Sequence, residues 1–388
     1  MEIGEPICVA PPTAPPDDVE LAAELVSVNF ISTLKTSHAK APITGPHWQA
    51  GHDREITDDW LKMAMKLRLP RGPYSKRAAV YRVKGAGGKY DVEVKVKITK
   101  SKNVSGNAKL VGNLRGLVVE GTCPTSVGEH TVAATFTCLP EDIRAYRGKM
   151  SWRLEATSAG ITVSLATTLA EIYFILGHPT KPFMRNGVWT EVLRFLCGRV
   201  GVIGKEDRST VSAVVTRYCH ELHWLRYDTF HGGDQYGRSP NGGKFQLGDY
   251  MLRVKRLCNC YDQASAVQVL LGALGIHVKW LFLVPFGFIK PTNMVGVGIC
   301  NNPFFGADNT WQVVPWNSDA RGVFANHAFV GTVDSKILDA CAGPETGSKS
   351  AAAYLGATID DTRSLYFGRR RPGALDDIRI KPDVAAVE

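Results

Sequence analysis

The feature that most constrains the fold is a change in hydrophobic period along the chain. Residues 89–100 alternate strictly, with charged residues and Thr99 on one face and five apolar residues on the other: Tyr90, Val92, Val94, Val96 and Ile98. A two-residue period is that of a β-strand, because successive side chains of a strand point to opposite faces. This segment is therefore predicted to be a strand with one buried face.

The two-residue period returns at residues 152–156 and 161–165, and glycines typical of turns lie between the alternating segments. Several short strands at this spacing predict an antiparallel β-sandwich over residues 75–178. Residues 1–18 contain five prolines and predict a flexible leader. Residues 19–74 are interpreted as an irregular N-terminal segment with one helix near 58–67.

Beyond a proline-containing linker at 178–182, the apolar period becomes helical, at 189–200, at 211–225 and again from Cys260 to Gly275. Five strand-like segments follow, at 278–284, 294–299, 311–316, 324–330 and 336–339. Helices first and an antiparallel sheet second predict an α+β domain over residues 188–345. Residues 346–388 are left as a C-terminal extension.

The positive charge of the chain is unevenly distributed. The net charge is +9, and residues 60–115 hold fifteen Lys and Arg against only Asp91 and Glu93. No aromatic interleaving or nucleic-acid motif accompanies this excess, which argues against a nucleic-acid partner. The region is interpreted as a solvated strand face, or as a basic face for an acidic partner.

The composition also bears on compartment and metal. No apolar run approaches the length of a membrane span, and the N-terminus lacks the basic start and apolar core of a secretory signal. The protein is expected in the cytoplasm, or exported without a classical signal peptide. Nine irregularly spaced cysteines favour free thiols in a reducing compartment. Neither the CxC at 258–260 nor the Cys/His cluster at 219–223 has the spacing of a zinc site, so we expect no metal. We also expect no cofactor.

Cys260 is the candidate nucleophile because it lies at the predicted start of a helix. There the helix dipole and free N–H groups favour a thiolate, and its own N–H could receive an oxyanion. The alternative is a buried structural cysteine, the commonest fate of a lone cysteine. Cys258 is the rival nucleophile.

His327 and Asp339 are the candidate base and its orienting carboxylate. A short hairpin loop at 331–335, if centred on Val333, would place the two residues opposite each other on antiparallel strands. The carboxylate could then accept the imidazole N–H. The alternative is a satisfied structural histidine.

Together these segments resemble the transglutaminase-like (papain-like thiol) superfamily. The similarity extends over residues 188–345 and rests on five segments in the family's order: Leu225-Arg-Tyr-Asp228, Cys260-Tyr-Asp-Gln-Ala264, Leu274-Gly-Ile276, His327-Ala-Phe329 and Asp339. The family pattern makes Cys260, which precedes x-Asp-x-Ala, the reactive cysteine. Asp262, inside the motif, is expected to cap or support the helix start rather than to react. The chain departs from the pattern in its Gly-, Asn- and Pro-rich stretch at 286–309, and it has Phe329 where a Trp is common.

The resemblance implies a Cys-His-Asp triad that acts on the amide bonds of a protein or peptide substrate, as a protease, amidase or glutamine deamidase. Resolution of the acyl-enzyme by an amine would instead make the protein a transglutaminase. A third reading is a non-catalytic interaction protein that uses the basic β-domain. The leader, the separate β-domain and the absent signal peptide would also suit an exported effector.

Overall fold

The computed structural model describes residues 18–38, 41–52, 66–67, 69, 74–237, 239–302, 304, 317, 324–360 and 374–388. The described chain mixes α and β structure and is rich in strands with few helices. Over these ranges no helix has both the length and the apolar character needed to cross a membrane. The helix predicted near 58–67 and the strand at 311–316 fall largely or wholly outside the described residues.

The first half of the chain is built mainly of strands. They are β1 (Glu20–Ser32), β2 (Thr36–His38), β3 (Ala41–Pro42), β4 (Trp48–Gln49), β5 (Ala79–Arg82), β6 (Tyr90–Lys102), β7 (Asn107–Leu114), β8 (Leu117–Pro124), β9 (Gly128–Phe136), β10 (Arg144–Ala156), β11 (Ile161–Ser164) and β12 (Thr168–Ile175). A 3-10 turn, Thr157–Ala159, follows β10.

Ten of these strands form one hydrogen-bonded sheet in the order β4-β1-β6-β9-β8-β7-β10-β12-β5, with β11 also on β10. Neighbours are antiparallel except β12 and β5, which are parallel. Strand β10 changes partners along its length, since its first half pairs with β12 and its second half with β7 and β11. The strand predicted at 89–100 is confirmed as β6, where Val92, Val94 and Val96 are fully buried.

The prediction that residues 19–74 are irregular is wrong at its start. Strand β1 pairs with β6 over its whole length, from Glu20 opposite Lys102 to Ser32 opposite Tyr90. Register shifts at Ala22/Ala23 and Leu25/Ser27 interrupt the alternation. A β-bulge adds a residue to one strand, so the apolar residues of β1 do not recur at every second position. The sheet therefore begins well before residue 75.

The second half contains the helices α1 (Thr190–Phe195), α2 (Arg208–Arg217), α3 (Leu247–Leu252), α4 (Cys260–Ala273) and α5 (Ala351–Thr358). The π-turns Leu196–Val200 and Tyr218–Leu222 continue α1 and α2, and a 3-10 turn spans Leu375–Asp377. The strands are β13 (Val188–Trp189), β14 (Arg226–Tyr227), β15 (Lys244–Phe245), β16 (Leu257–Cys258), β17 (Val278–Leu283), β18 (Thr292–Met294), β19 (Gly298–Cys300), β20 (His327–Thr332), β21 (Lys336–Asp339), β22 (Glu345–Ser350), β23 (Ile378–Ile380) and β24 (Ala386–Val387).

A five-stranded antiparallel sheet, in the order β22-β21-β20-β17-β23, supports the second half. Helix α4 packs against β17 and β20, and its residues from Asp262 to Ala273 are all buried. Smaller pairings join β13 to β2, β2 to β3, β14 to β16, β15 to β24, and β18 to β19. The segment predicted as one strand at 294–299 belongs instead to the β18–β19 hairpin.

The boundary predicted at residue 345 also needs correction. Strand β22 pairs with β21, and β23 pairs with β17, so residues assigned to a C-terminal extension complete the sheet. The predicted boundary followed the last strand that carries a candidate site residue. Hydrogen bonding across the sheet continues beyond it, which the local pattern of one strand does not reveal.

Candidate active site

Helix α4 begins at Cys260 because Asn259 caps it. The Asn259 side chain accepts hydrogen bonds from the N–H groups of Tyr261 (2.9 Å) and Asp262 (3.1 Å), and Asp262 accepts one from Asn259 N–H (3.0 Å). This reciprocal capping box fixes the first turn. Cys260, 5% exposed, is thereby held at the positive end of the helix.

Asp262 also anchors the loop that crosses the start of α4. Its carboxylate accepts hydrogen bonds from Gln235 N–H and Tyr236 N–H, both at 2.9 Å. Burial raises the pKa of Asp262 to about 6, although the backbone N–H donors oppose that rise. The contacts agree with the expectation that Asp262 supports the helix start.

His327 and Asp339 are brought together, but not in the predicted register. Val330 pairs with Leu338 and Gly331 with Ile337, so the hairpin is centred one residue later than Val333. In this register Asp339 is a diagonal rather than a direct neighbour of His327. Diagonal neighbours share a face. His327 Nε2 therefore still lies 2.8 Å from Asp339 Oδ2.

Hydrogen-bond donors hold both oxygens of the Asp339 carboxylate in place. Oδ1 accepts the N–H groups of Cys341 (2.7 Å) and Ala342 (3.2 Å), while Oδ2 accepts the Tyr354 hydroxyl at 2.6 Å as well as His327. Burial alone raises the pKa of Asp339, but the histidine charge and these hydrogen bonds outweigh it and lower the pKa. Asp339 is therefore held as a carboxylate.

Tyr354 is a site residue that sequence reasoning missed. It lies on α5, in the segment assigned to the C-terminal extension, and Phe329 packs against its ring at 5.0 Å between centroids. The Ser350 cap, whose hydroxyl accepts Ala353 N–H at 3.3 Å, is a sequence signal for α5. No local spacing connects that helix to residue 339.

The pKa of His327 shows how the three groups interact. Burial lowers this pKa, but the charge and hydrogen bond of Asp339, with a further hydrogen bond and charge from Cys260, raise it to about 10. Since Nε2 faces Asp339, the remaining ring nitrogen, Nδ1, is the one available to Cys260. The raised pKa favours the imidazolium form of His327 beside the Asp339 carboxylate.

Cys258 lies in a different environment. Its side chain is fully buried in β16, with Gln263 Nε2 at 3.5 Å from the sulfur. Burial raises the pKa of this thiol well above its ordinary value, and the charge of Asp262 adds to the effect. A buried thiol with a raised pKa is a poor nucleophile.

Aromatic rings surround the imidazole. The rings of Phe286, Phe329 and Phe324 lie 5.4, 5.8 and 6.0 Å from that of His327 between centroids. Tyr227 extends this wall, with its ring 6.2 Å from Phe324. Burial raises the pKa of Tyr227. Such packing restricts the imidazole and shields the candidate site residues from water.

No group of three or more His, Cys, Asp or Glu residues that could hold a metal ion occurs in the described part of the chain. The eight cysteines within the described ranges are free thiols.

Comparison with known proteins finds distant likeness among solved structures. No protein-family model and no curated protein matches the chain. Among solved structures, red sea bream transglutaminase matches with a TM-score of 0.34 and 10% sequence identity, over 69% of this chain and 49% of that one. The chain therefore spans about half the length of that structure. The chemistry of the site is inferred from its own side chains.

Proposed function

We propose that the protein is a cysteine-dependent acyl-transfer enzyme that acts on amide bonds of a protein or peptide. Cys260 is the nucleophile, His327 its acid and base, and Asp339 the group that orients His327. The observation that carries this proposal is the buried series of contacts from Asp339 to His327 at 2.8 Å and from His327 to Cys260 at the start of α4. A nucleophile, a base and an orienting group in contact form the common plan of such enzymes.

The first half-reaction forms a thioester. The Cys260 thiolate attacks the amide carbonyl carbon, which forms a C–S bond and moves the carbonyl electrons onto oxygen. When the C–N bond breaks, the His327 imidazolium gives its proton to the departing amine. The products are the free amine and an acyl-Cys260 thioester, with a neutral imidazole.

The second half-reaction releases the acyl group. The imidazole takes a proton from water or from an incoming primary amine, whose oxygen or nitrogen attacks the thioester. The C–S bond breaks, which restores the thiolate and the imidazolium. Water gives a carboxylic acid, as in a protease, amidase or deamidase, and an amine gives a new amide, as in a transglutaminase.

Two donors suit the oxyanion of the tetrahedral intermediate. The Cys260 N–H lies in the first turn of α4, where backbone donors have no acceptor within the helix. The Tyr227 hydroxyl makes no hydrogen bond to a described residue, and its ring packs against Phe324 in the aromatic wall beside His327. We assign Tyr227 as the second donor. Tyr227→Phe should lower kcat about 100-fold, the usual loss for one oxyanion-hole donor.

Limiting iodoacetamide followed by peptide mass spectrometry tests the nucleophile, because an activated Cys260 should be alkylated before the other thiols. A proteome extract incubated with the enzyme and a labelled primary amine then tests the reaction. Cleaved or deamidated products indicate transfer to water, and amine incorporation indicates transamidation. Two results together would reject the enzyme proposal and favour an interaction protein. The thiols would be alkylated at equal rates, and the parent protein would give only the products that the Cys260→Ala control also gives.

A further inference from the structure

A basic groove lies at the end of α4 remote from Cys260. It has a volume of about 800 Å³, and its lining includes Lys181, Met184, Arg185, Lys279, Ile380 and Lys381. Thr180 N–H donates to the Gly272 carbonyl near the C-terminal end of α4. This bond fixes the start of the segment that supplies Lys181, Met184 and Arg185 to the groove. At 1.5 Å per residue, Gly272 lies roughly 18 Å along α4 from Cys260. The groove lining contains none of Cys260, His327 and Asp339, so the groove is distinct from the candidate active site.

The groove concentrates positive charge that the described chain does not neutralise. Within the described ranges, Lys181, Arg185, Lys279 and Lys381 form no ion pair with a carboxylate. The groove's acid, Asp383, accepts a hydrogen bond from Gln268 Nε2 at 2.7 Å. The C-terminal dipole of α4 would account for one nearby cation, but not for four.

Apolar side chains are exposed beside these cations. Met184 is 69% exposed and Ile380 is 65% exposed, and both line the groove. Ile380 belongs to β23, the last strand of the five-stranded sheet. Exposed apolar side chains, a charged rim and a strand edge together suit an extended peptide. No Phe, Tyr or Trp is among the described lining residues, so nucleic-acid bases have no stacking platform.

We propose that this groove binds an acidic, partly apolar segment of a partner protein. Carboxylates of the segment pair with Lys181, Arg185, Lys279 and Lys381, and an apolar side chain contacts Met184 and Ile380. Binding does not require the reaction at Cys260, so the proposal is independent of the proposed catalysis. Where the partner is also the substrate, the groove acts as an exosite.

Fluorescence polarisation tests the proposal on the full chain carrying Cys260→Ala, which prevents turnover. The probe is a fluorescein-labelled peptide of glutamates that flank one leucine, and the same peptide with lysines serves as its negative control. The groove variant combines Lys181→Glu, Lys279→Glu and Lys381→Glu. A matched variant combines Lys89→Glu, Lys97→Glu and Lys102→Glu, on β6 and directly before it, where these lysines form no ion pair within the described residues.

The groove variant should weaken binding of the acidic peptide by about tenfold or more, since each reversal replaces an attraction with a repulsion. The matched variant, with the same net charge, should retain the parental affinity. Circular dichroism should show both variants folded. Equal losses in both variants, absence of binding to the parent, or equally effective competition by single-stranded DNA would each overturn the proposal.

Discussion

The thiols of Cys258 on β16 and Cys260 at the start of α4 should differ in function because their surroundings differ. Cys258 is fully buried with a raised pKa, whereas Cys260 contacts His327. We expect Cys260→Ala to abolish turnover and Cys258→Ala to retain most of it. His327→Ala should be nearly as damaging as loss of the thiol, because it removes both the base and the cation that stabilises the thiolate. Rates on a common amide substrate would measure this, and an active Cys260→Ala beside an inactive Cys258→Ala would reverse the assignment.

The charge of Asp339 should set the alkaline limit of activity. The folded-state pKa of His327, about 10, lies above the ordinary value of about 6.5. The ion pair's stabilisation is therefore complete below about pH 6.5 and is lost as the pH rises through about 10. Asp339→Asn removes the carboxylate charge, so the alkaline limb of kcat/KM should move to lower pH. Matching alkaline limbs in pH–rate profiles of the two proteins would contradict the role given to Asp339.

Tyr354 should act as a positioning residue through Asp339. Tyr354→Phe deletes the 2.6 Å hydrogen bond to a buried carboxylate but keeps the ring against Phe329. The lost hydrogen bond contributes about 1.5 kcal/mol to holding Asp339 and His327 in place, so kcat should fall about tenfold while KM stays unchanged. Tyr81→Phe is the matched control, since Tyr81 is equally buried and its hydroxyl binds the Asp91 carbonyl in the large sheet. A similar loss of kcat in the control, or an effect on KM alone, would indicate a general structural role.

The sequence is sufficient to select Cys260, His327 and Asp339. In the structure His327 interacts with Cys260, and His327 Nε2 lies 2.8 Å from Asp339 Oδ2. Residue type and order are enough to select these three residues, because each lies at a helix start or in a strand that the sequence pattern indicates. Tyr354 and Tyr227 were not selected as site residues. Their relation to the site depends on how distant segments pack, which no short spacing encodes.

The first turn of α4 and the loop across it should depend on Asp262. Asp262→Asn replaces one acceptor oxygen with an NH₂ group, which is itself a donor and faces backbone N–H donors. The free energy of unfolding should therefore fall by about 1–3 kcal/mol. Because burial raises the folded-state pKa to about 6, above an ordinary value of about 3.9, the stability contribution of Asp262 falls as the pH rises from about 4 to about 6. The difference between parent and variant should therefore shrink over this interval.

Urea unfolding at several pH values would measure this change. Ser209→Ala on the exposed cap of α2, where the Ser209 hydroxyl donates to Asp207 Oδ1 at 2.7 Å, provides a control with little effect. A difference between parent and Asp262→Asn that grows with pH would contradict the raised pKa.

Strands and helices were predictable to the extent that their periods were regular. Strand β6 follows a strict alternation and was predicted correctly, whereas the bulges in β1 hid a strand of the same length. The hairpin of His327 was predicted, but its centre was one residue off. The error did not separate the pair because the new register left both side chains on one face.

At the scale of the whole molecule, the domain boundaries were the weakest predictions. Two-residue and helical periods report on local burial, so they divided the chain near 75, 178 and 345. The sheets instead recruit β1 from before the first boundary and β22 and β23 from around and after the last. Pairing of strands distant in sequence decides such membership, and a single sequence gives no direct signal for it.

A buried ion pair joins the two halves of the molecule. Glu171 on β12 receives hydrogen bonds from Arg194 on α1, Nε at 2.7 Å and a terminal nitrogen at 2.6 Å, and both side chains are almost fully buried. Arg194 also donates to the Ser75 carbonyl at 2.8 Å, and Ser75 N–H donates to Glu171 at 2.9 Å. Removal of one partner leaves the other charge buried without its counterion.

Glu171→Gln should therefore lower the free energy of unfolding by about 3–5 kcal/mol. The double change Glu171→Leu and Arg194→Met should cost less than either single change, because no isolated charge remains buried. The exposed ion pair of Lys84 and Glu141, at 2.9 Å, is the control because it also joins a cation to a glutamate. Glu141→Gln should have little effect on the free energy of unfolding. Chemical unfolding followed by tryptophan fluorescence and circular dichroism would compare the four proteins. If Glu171→Gln were as mild as Glu141→Gln, the halves would be held together by apolar packing and not by this pair.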